Sequence, residues 1–87
     1  MELEIISPAG ILFKDETDYV SFPGIAGSFD VLPHHAPMIA ALEEGVIRYQ
    51  TKEKETQQEI KIQSGFVDIK DDTLSVCIEE KYDHEQR

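Results

Sequence analysis

Two adjacent histidines and the carboxylates near them are the residues of this chain whose types could do chemistry. His34 and His35 could bind zinc or iron, with Asp30 or Glu43 as a carboxylate ligand. Neighbouring side chains of an extended chain point to opposite faces, however, so the two imidazoles do not readily reach one ion. The third histidine, His84, lies near the end of the sequence. A small metal-dependent β-barrel enzyme using His34, His35 and Glu43 is therefore the alternative hypothesis rather than the preferred one.

Other catalytic arrangements have less support in the sequence. The single cysteine, Cys77, excludes an intramolecular disulfide and any Cys-x-x-Cys motif. No Gly-x-Ser-x-Gly motif is present, and the adjacent acids Asp71 and Asp72 are typical of a solvated turn. We therefore expect no catalytic residue, no metal site, no cofactor and no small-molecule ligand, which leaves a binding module as the preferred interpretation.

The histidines lie in residues 22–49, the least repetitive part of the chain. Gly24 and Gly27 bracket two residues, a spacing that suits a tight turn because glycine tolerates positive φ. Pro33 and Pro37 each remove a backbone donor and bias the preceding residue towards extended geometry. This pattern excludes a helix and predicts an ordered loop or short edge strand. Binding residues are often found on such loops.

Composition narrows the classes of partner. The 87 residues are enough for one small domain, and they carry a net charge of −10. Residues 1–43 contain seven acidic side chains and one basic side chain, Lys14. This balance argues against nucleic acid and favours a basic protein partner, or it only keeps the domain soluble. The N-terminus has no signal-peptide pattern and no apolar run approaches the length of a membrane span, which predicts a cytoplasmic protein.

Alternation of apolar and polar residues dominates the remaining sequence. Leu3 and Ile5 share one predicted strand face, and Leu74, Val76 and Ile78 share another. The runs 46–49 and 59–63 form a predicted hairpin with a charged tip at 52–58, and Ser64-Gly65 predicts a bend or bulge after it. Short strands at this spacing predict an all-β antiparallel sandwich or barrel. We expect one domain over residues 2–80 and a charged C-terminal tail over residues 81–87.

Several motifs together carry a family resemblance over residues 2 to about 80. The pattern FPG…G-x-F-x-V-L-P-x-H-A-P…A-L-x-x-G-V-I-R resembles the epsilon subunit of bacterial F-type ATP synthases, called delta in mitochondria. The opening LEIISP-x-G-x-L-F, the segment SGFVD and the closing LSV are similar to the same family. The resemblance implies a β-sandwich of about ten short strands.

The resemblance also implies a function without chemistry. Such a subunit docks beside the gamma subunit in the central rotor stalk, rests on the c-ring and couples proton flow to ATP synthesis. It lies at the cytoplasmic face of the bacterial inner membrane, peripherally and without insertion. Many relatives continue into a C-terminal helical hairpin that inhibits ATP hydrolysis. We expect no such hairpin in this chain, so inhibition and ATP sensing are not carried over.

The resemblance places the partner-binding residues in the loop. Relatives often have an acid where this chain has Ser28, and we expect Asp30, on the same strand face, to supply the charge instead. His35 is expected either to hydrogen-bond the loop backbone or to touch gamma. Phe29, Val31 and Leu32 are expected mainly to pack. Glu43-Glu44 stands where Lys-Pro is common in relatives. The candidate partner-binding residues are Gly27, Ser28, Phe29, Asp30, His35, Ala36 and Pro37.

Overall fold

The computed structural model describes residues 1–51 and 57–81, and most of these residues lie in β-strands. Most of the predicted hairpin tip and, apart from Lys81, the predicted tail fall outside these residues. The described part of the chain contains no helix that could cross a membrane. Its eight strands are β1 (Glu2–Ser7), β2 (Gly10–Glu16), β3 (Val20–Phe22), β4 (Phe29–Val31), β5 (Met38–Leu42), β6 (Gly45–Gln50), β7 (Gln57–Lys70) and β8 (Thr73–Glu80).

The alternating sequence pattern corresponds directly to burial. Leu3 and Ile5 of β1 are fully buried, and the neighbouring Glu2 and Glu4 are only partly buried. Leu74, Val76 and Ile78 of β8 form an inward face, as predicted. Each strand thus contributes apolar side chains to one core and leaves its other face outward, which confirms the all-β interpretation. The residues directly after Pro37 form β5.

One long strand connects the two layers of the sandwich. The first half of β7 pairs with β6, which continues through β3 to β4. The second half of β7 pairs with β5 on one side and β8 on the other, and β8 continues through β1 to β2. Buried residues from both halves form one apolar cluster. The protein therefore has a five-strand layer (β5, β7, β8, β1, β2) and a four-strand layer (β7, β6, β3, β4).

Two details of the predicted fold are wrong. Eight strands are present in the described residues instead of about ten, partly because the runs on either side of Ser64-Gly65 form the single strand β7. The predicted irregularity is real, since the register with β8 shifts between Ile62 and Ser64. The sandwich is also not wholly antiparallel, because β1 and β8 pair in parallel. These two strands are distant in sequence, so no tight turn dictates their direction.

The turn between β7 and β8 matches its sequence signature. Asp71 and Asp72 both have positive φ, 53° and 60° respectively. Positive φ at both central residues is the geometry of a two-residue type I′ turn, whose twist suits an antiparallel hairpin. The predicted tight turn at the two aspartates is confirmed, and it places the Asp72 side chain near another loop.

Candidate functional site

The loop between β3 and β4 is fastened to β5 by backbone hydrogen bonds. The amide of Ile25 donates to the Ala41 carbonyl at 3.0 Å, and the amide of Glu43 donates to the Pro23 carbonyl at 2.9 Å. Within the loop, the amide of Gly27 donates to the Gly24 carbonyl at 3.0 Å. The predicted tight turn is therefore present. The loop is an ordered structure held by its neighbour strand.

Residues 28–32 follow the turn and enter β4. Ser28 and Asp30 are both exposed, and the Asp30 carboxylate accepts a hydrogen bond from the Tyr19 hydroxyl at 3.3 Å. Phe29 is partly buried, and its ring centroid lies 5.4 Å from that of Phe22. Val31 is fully buried, as predicted for a packing residue.

The expectation that Leu32 packs is wrong. Its side chain is 57% exposed. Leu32 directly follows the buried Val31, and consecutive side chains of an extended chain alternate between faces. Leu32 therefore points away from the core in spite of its apolar character.

The histidine loop connects β4 to β5. The ring Nδ1 of His35 lies 2.8 Å from the Ala36 carbonyl oxygen, so Nδ1 carries a proton and donates it. This contact agrees with the interpretation that His35 shapes the loop backbone. Ala36 and Pro37 are exposed beside it. No group of three or more potential metal ligands occurs among residues 1–51 and 57–81.

His34 makes contact with a residue that the sequence did not suggest. Its φ is 67°, a left-handed conformation that few non-glycine residues adopt. The amide of His34 donates to Asp72 Oδ1 at 2.7 Å, and its Nδ1 lies 4.0 Å from Asp72 Oδ2. The hydrogen bond from this amide, together with the charge of the nearby Met1 ammonium, lowers the pKa of Asp72 below its usual value.

The outer face of the five-strand layer carries an unbroken apolar row. Cross-strand partners in register place these residues side by side, and Phe66 and Ile11 are 51% and 61% exposed. Ile25 and Ile39 add two further exposed apolar side chains near it. The row consists of Ala41 on β5, Phe66 on β7, Cys77 on β8, Ile6 on β1 and Ile11 on β2.

A shallow groove of about 580 Å³ follows this row and includes Ile25 in its lining. Acidic side chains lie around it. Glu79 lines the groove, and Asp68 lies two residues after Phe66 on the same face of β7. Glu4 precedes Ile6 by two residues on β1 and, like Asp68, lies in register with Ser75 of β8; its partner on β2 is Lys14. We call this surface the apolar face. It comprises the apolar row, the groove and the acidic margin.

The outer face of the four-strand layer is polar by contrast. Arg48 Nε donates to Glu59 Oε2 at 3.1 Å, and both side chains are about half exposed. The corresponding row in register consists of Asp30 on β4, Ser21 on β3, Arg48 on β6 and Glu59 on β7. The two outer faces of the sandwich therefore differ in chemistry, and one of them has the composition of a docking surface.

Comparison with known protein families decides the family of this chain. The profile of the β-sandwich domain of ATP synthase delta/epsilon chains matches residues 1–83. The chain belongs to this family. The resemblance found in the loop and strand motifs is thereby confirmed.

Curated relatives of this chain agree with the family match. The ATP synthase epsilon chain of Leptospira borgpetersenii is 40% identical over 76 residues, which are 87% of this chain and 58% of the relative. The epsilon chain of Sulfurovum is 38% identical over 78 residues, or 90% of this chain and 59% of the relative. The chain thus spans somewhat more than half the length of these relatives.

Solved structures show the same fold. A chain from the mitochondrial ATP synthase of Tetrahymena thermophila, in a structure of its central stalk and c-ring, superposes with a TM-score of 0.81 at 13% identity. The match covers 99% of this chain and 68% of that one. A chain from the Euglena gracilis mitochondrial enzyme superposes with a TM-score of 0.82 at 19% identity, covering 97% and 56%.

The seven candidate partner-binding residues are divided between separate surfaces of the described part of the chain. Gly27 and Phe29 border a groove of about 410 Å³ beside β5. Pro37 borders a different groove of about 380 Å³ beside the end of β7. Asp30 faces Tyr19 instead.

Sequence reasoning missed the apolar face and the contact of Asp72. Phe66 carried a usable signal, because it directly precedes the inward Val67 and so occupies an outward position of its strand. The contact between Asp72 and the histidine loop had no such signal, since it joins positions 38 residues apart.

Proposed function

We propose that this chain is a non-catalytic rotor subunit of a proton-translocating ATP synthase, which docks on the gamma subunit and links it to the c-ring. In this role it transmits torque, so that proton flow through the ring drives ATP synthesis elsewhere in the complex. The observation that carries the proposal is the apolar face on a sandwich of the delta/epsilon family. A binding module needs such a surface.

The apolar face is the proposed gamma-binding surface. Phe66, Ile11 and Ile25 are each more than half exposed on one side of a small protein. Aromatic and aliphatic side chains at the centre of a patch, with charges at its margin, are typical of protein–protein interfaces. Because the margin is acidic, the complementary surface of gamma is expected to present aliphatic side chains surrounded by lysine or arginine.

The end of the sandwich that carries Gly27, Ser28 and Asp30 is the proposed contact with the c-ring. Asp30 supplies an exposed negative charge there, which suits basic loops on the ring. Attachment through the ring would keep the chain at the cytoplasmic face of the bacterial inner membrane without insertion. His35, Ala36 and Pro37 complete the proposed partner-binding set.

The test is a calorimetric titration of this chain into the purified gamma subunit of the same organism. We expect a one-to-one complex that elutes as a single species in gel filtration. Phe66→Ser should weaken it by at least about tenfold, because a central aromatic anchor contributes on the order of 2 kcal/mol. Val46→Ser, on the polar side of the sandwich, is the matched control and should bind as the wild type does.

Two results would overturn the proposal. Absence of binding to a gamma subunit shown to be folded would exclude the stalk assignment. Binding that is equally strong for Phe66→Ser and wild type would show that gamma does not bind at the apolar face. Urea unfolding of both variants establishes that the comparison is made between folded proteins.

A further inference from the structure

We infer that Asp72 is a positioning residue, which fixes the histidine loop in the conformation that the partner subunits recognise. The inference rests on the proposed function, because it assigns a task to a residue outside the proposed contact set. Asp72 lies in the turn between β7 and β8, far in sequence from residues 33–37. Its side chain nevertheless accepts a hydrogen bond from that loop.

The geometry of the contact supports this role. The His34 amide donates to Asp72 Oδ1 at 2.7 Å, a short distance for an N–H donor and one typical of a charged acceptor. The imidazole Nδ1 of His34 lies on the other carboxylate oxygen at 4.0 Å. The carboxylate thus hydrogen-bonds the backbone of this loop residue and lies near its ring.

The conformation of His34 explains why the loop needs such support. A φ of 67° is disfavoured for a residue with a side chain by about 1 kcal/mol or more, and the surroundings must compensate. Pro33 on one side has no amide to donate, so the His34 amide is the donor available at this point of the turn. The carboxylate of Asp72 accepts its hydrogen bond and thereby holds the left-handed turn.

Asp72 is itself fixed to the rest of the fold. Its backbone carbonyl accepts a hydrogen bond from the Glu2 amide at 3.1 Å, at the start of β1. Its φ of 60° belongs to the type I′ turn that begins β8. The backbone of Asp72 is therefore held in place by β1 and by the turn. Its carboxylate in turn supports the loop that carries His35, Ala36 and Pro37.

The experiment removes the carboxylate without disturbing the turn. Asp72→Gly suits positive φ and deletes the side chain, whereas Asp72→Asn keeps an acceptor oxygen and also tolerates this conformation. Asp71→Gly is the matched control for the change of backbone, since its φ of 53° is similar and its carboxylate has no hydrogen bond or ion pair to the described residues 1–51 and 57–81. Each variant is titrated into the gamma–c-ring subcomplex, and the His34 amide is followed by NMR hydrogen exchange.

We expect Asp72→Gly to accelerate exchange of the His34 amide and to weaken subcomplex binding about tenfold, because a charge-assisted hydrogen bond is lost. Asp72→Asn should restore most of the affinity, and Asp71→Gly should change neither measurement. An unprotected His34 amide in the wild type, or wild-type affinity in Asp72→Gly, would overturn the positioning role alone. A wild type that does not bind the subcomplex would overturn the proposed function, and this role with it.

Discussion

Asp30 is an acidic residue whose exposure follows from the alternation of side chains along β4. Its side chain is exposed on β4, and its carboxylate accepts a hydrogen bond from the Tyr19 hydroxyl. Ser28, two residues earlier, is also exposed. The alternation of strand side chains accounts for this shared orientation, and it was predictable from the sequence because Val31 occupies the core position.

Reversing this charge provides a test at the residue scale. Asp30→Lys should leave stability within about 0.5 kcal/mol, as is usual for exposed positions, and should reduce assembly with the c-ring. The reduction should be greatest at low salt, because ionic screening weakens the repulsion between the new lysine and basic ring loops. Assembly is measured by pull-down of the ring at two salt concentrations.

Asp18→Lys is the control for the change in total charge. Asp18 is also an exposed aspartate, so its replacement by lysine changes the net charge by the same amount. Equal losses in the two variants would show that net charge matters and the position of Asp30 does not. Unchanged assembly in Asp30→Lys would remove Asp30 from the proposed ring contact.

At the scale of elements, the turn between β3 and β4 depends on close approach at one glycine. A Cβ atom at Gly24 would lie 2.6 Å from the Gly27 carbonyl oxygen and 2.9 Å from a ring carbon of Phe29. The oxygen belongs to backbone and cannot rotate away. Gly24 is therefore required for the compact turn, and its φ is not the reason.

Gly24→Ala should destabilise the protein by about 1–3 kcal/mol, the usual range for an overpacked position. The change is measured by urea unfolding, and faster hydrogen exchange at the Ile25 amide should locate it in this turn. Ala26→Ser, an exposed position of the same turn, should be close to neutral. Wild-type stability in Gly24→Ala would mean that the turn opens without penalty.

The strands were predictable from the sequence where alternation was regular, as in β1 and β8, because burial imposes a two-residue period. The count of strands was not predictable. Ser64-Gly65 looks the same whether it ends a strand or forms a bulge within one, and only the pairing of β7 with both layers decides between these. The parallel pairing of β1 and β8 is likewise a tertiary property, since it joins the two ends of the fold.

The site was only partly predictable for a related reason. Glycine and proline spacing indicated an ordered loop, because these residues restrict or free φ locally. Other elements hold both loops, since the loop between β3 and β4 bonds to Ala41 and the histidine loop bonds to Asp72. A local pattern can predict that a segment is ordered, but the partners that order it depend on the complete fold.

At the scale of the whole molecule, the net charge and the apolar face act over different distances. The net charge of −10 attracts a basic partner from a distance and repels other copies of the chain. The apolar face acts only on contact, and its contribution scales with the area removed from water. For the proposed complex with gamma, we therefore expect charge to govern the association rate and the apolar face to govern the lifetime of the complex.

Salt separates the two contributions. Between about 0.05 and 0.5 M NaCl the association rate with gamma should fall roughly tenfold, because long-range steering is screened. The dissociation rate should change by less than about twofold, since burial of apolar surface does not depend on ion pairs. Stopped-flow or surface-based kinetics measures both rates. A dissociation rate that rises steeply with salt would show that the acidic margin, with Asp68 and Glu79, holds the complex, and that the apolar row contributes little to its lifetime.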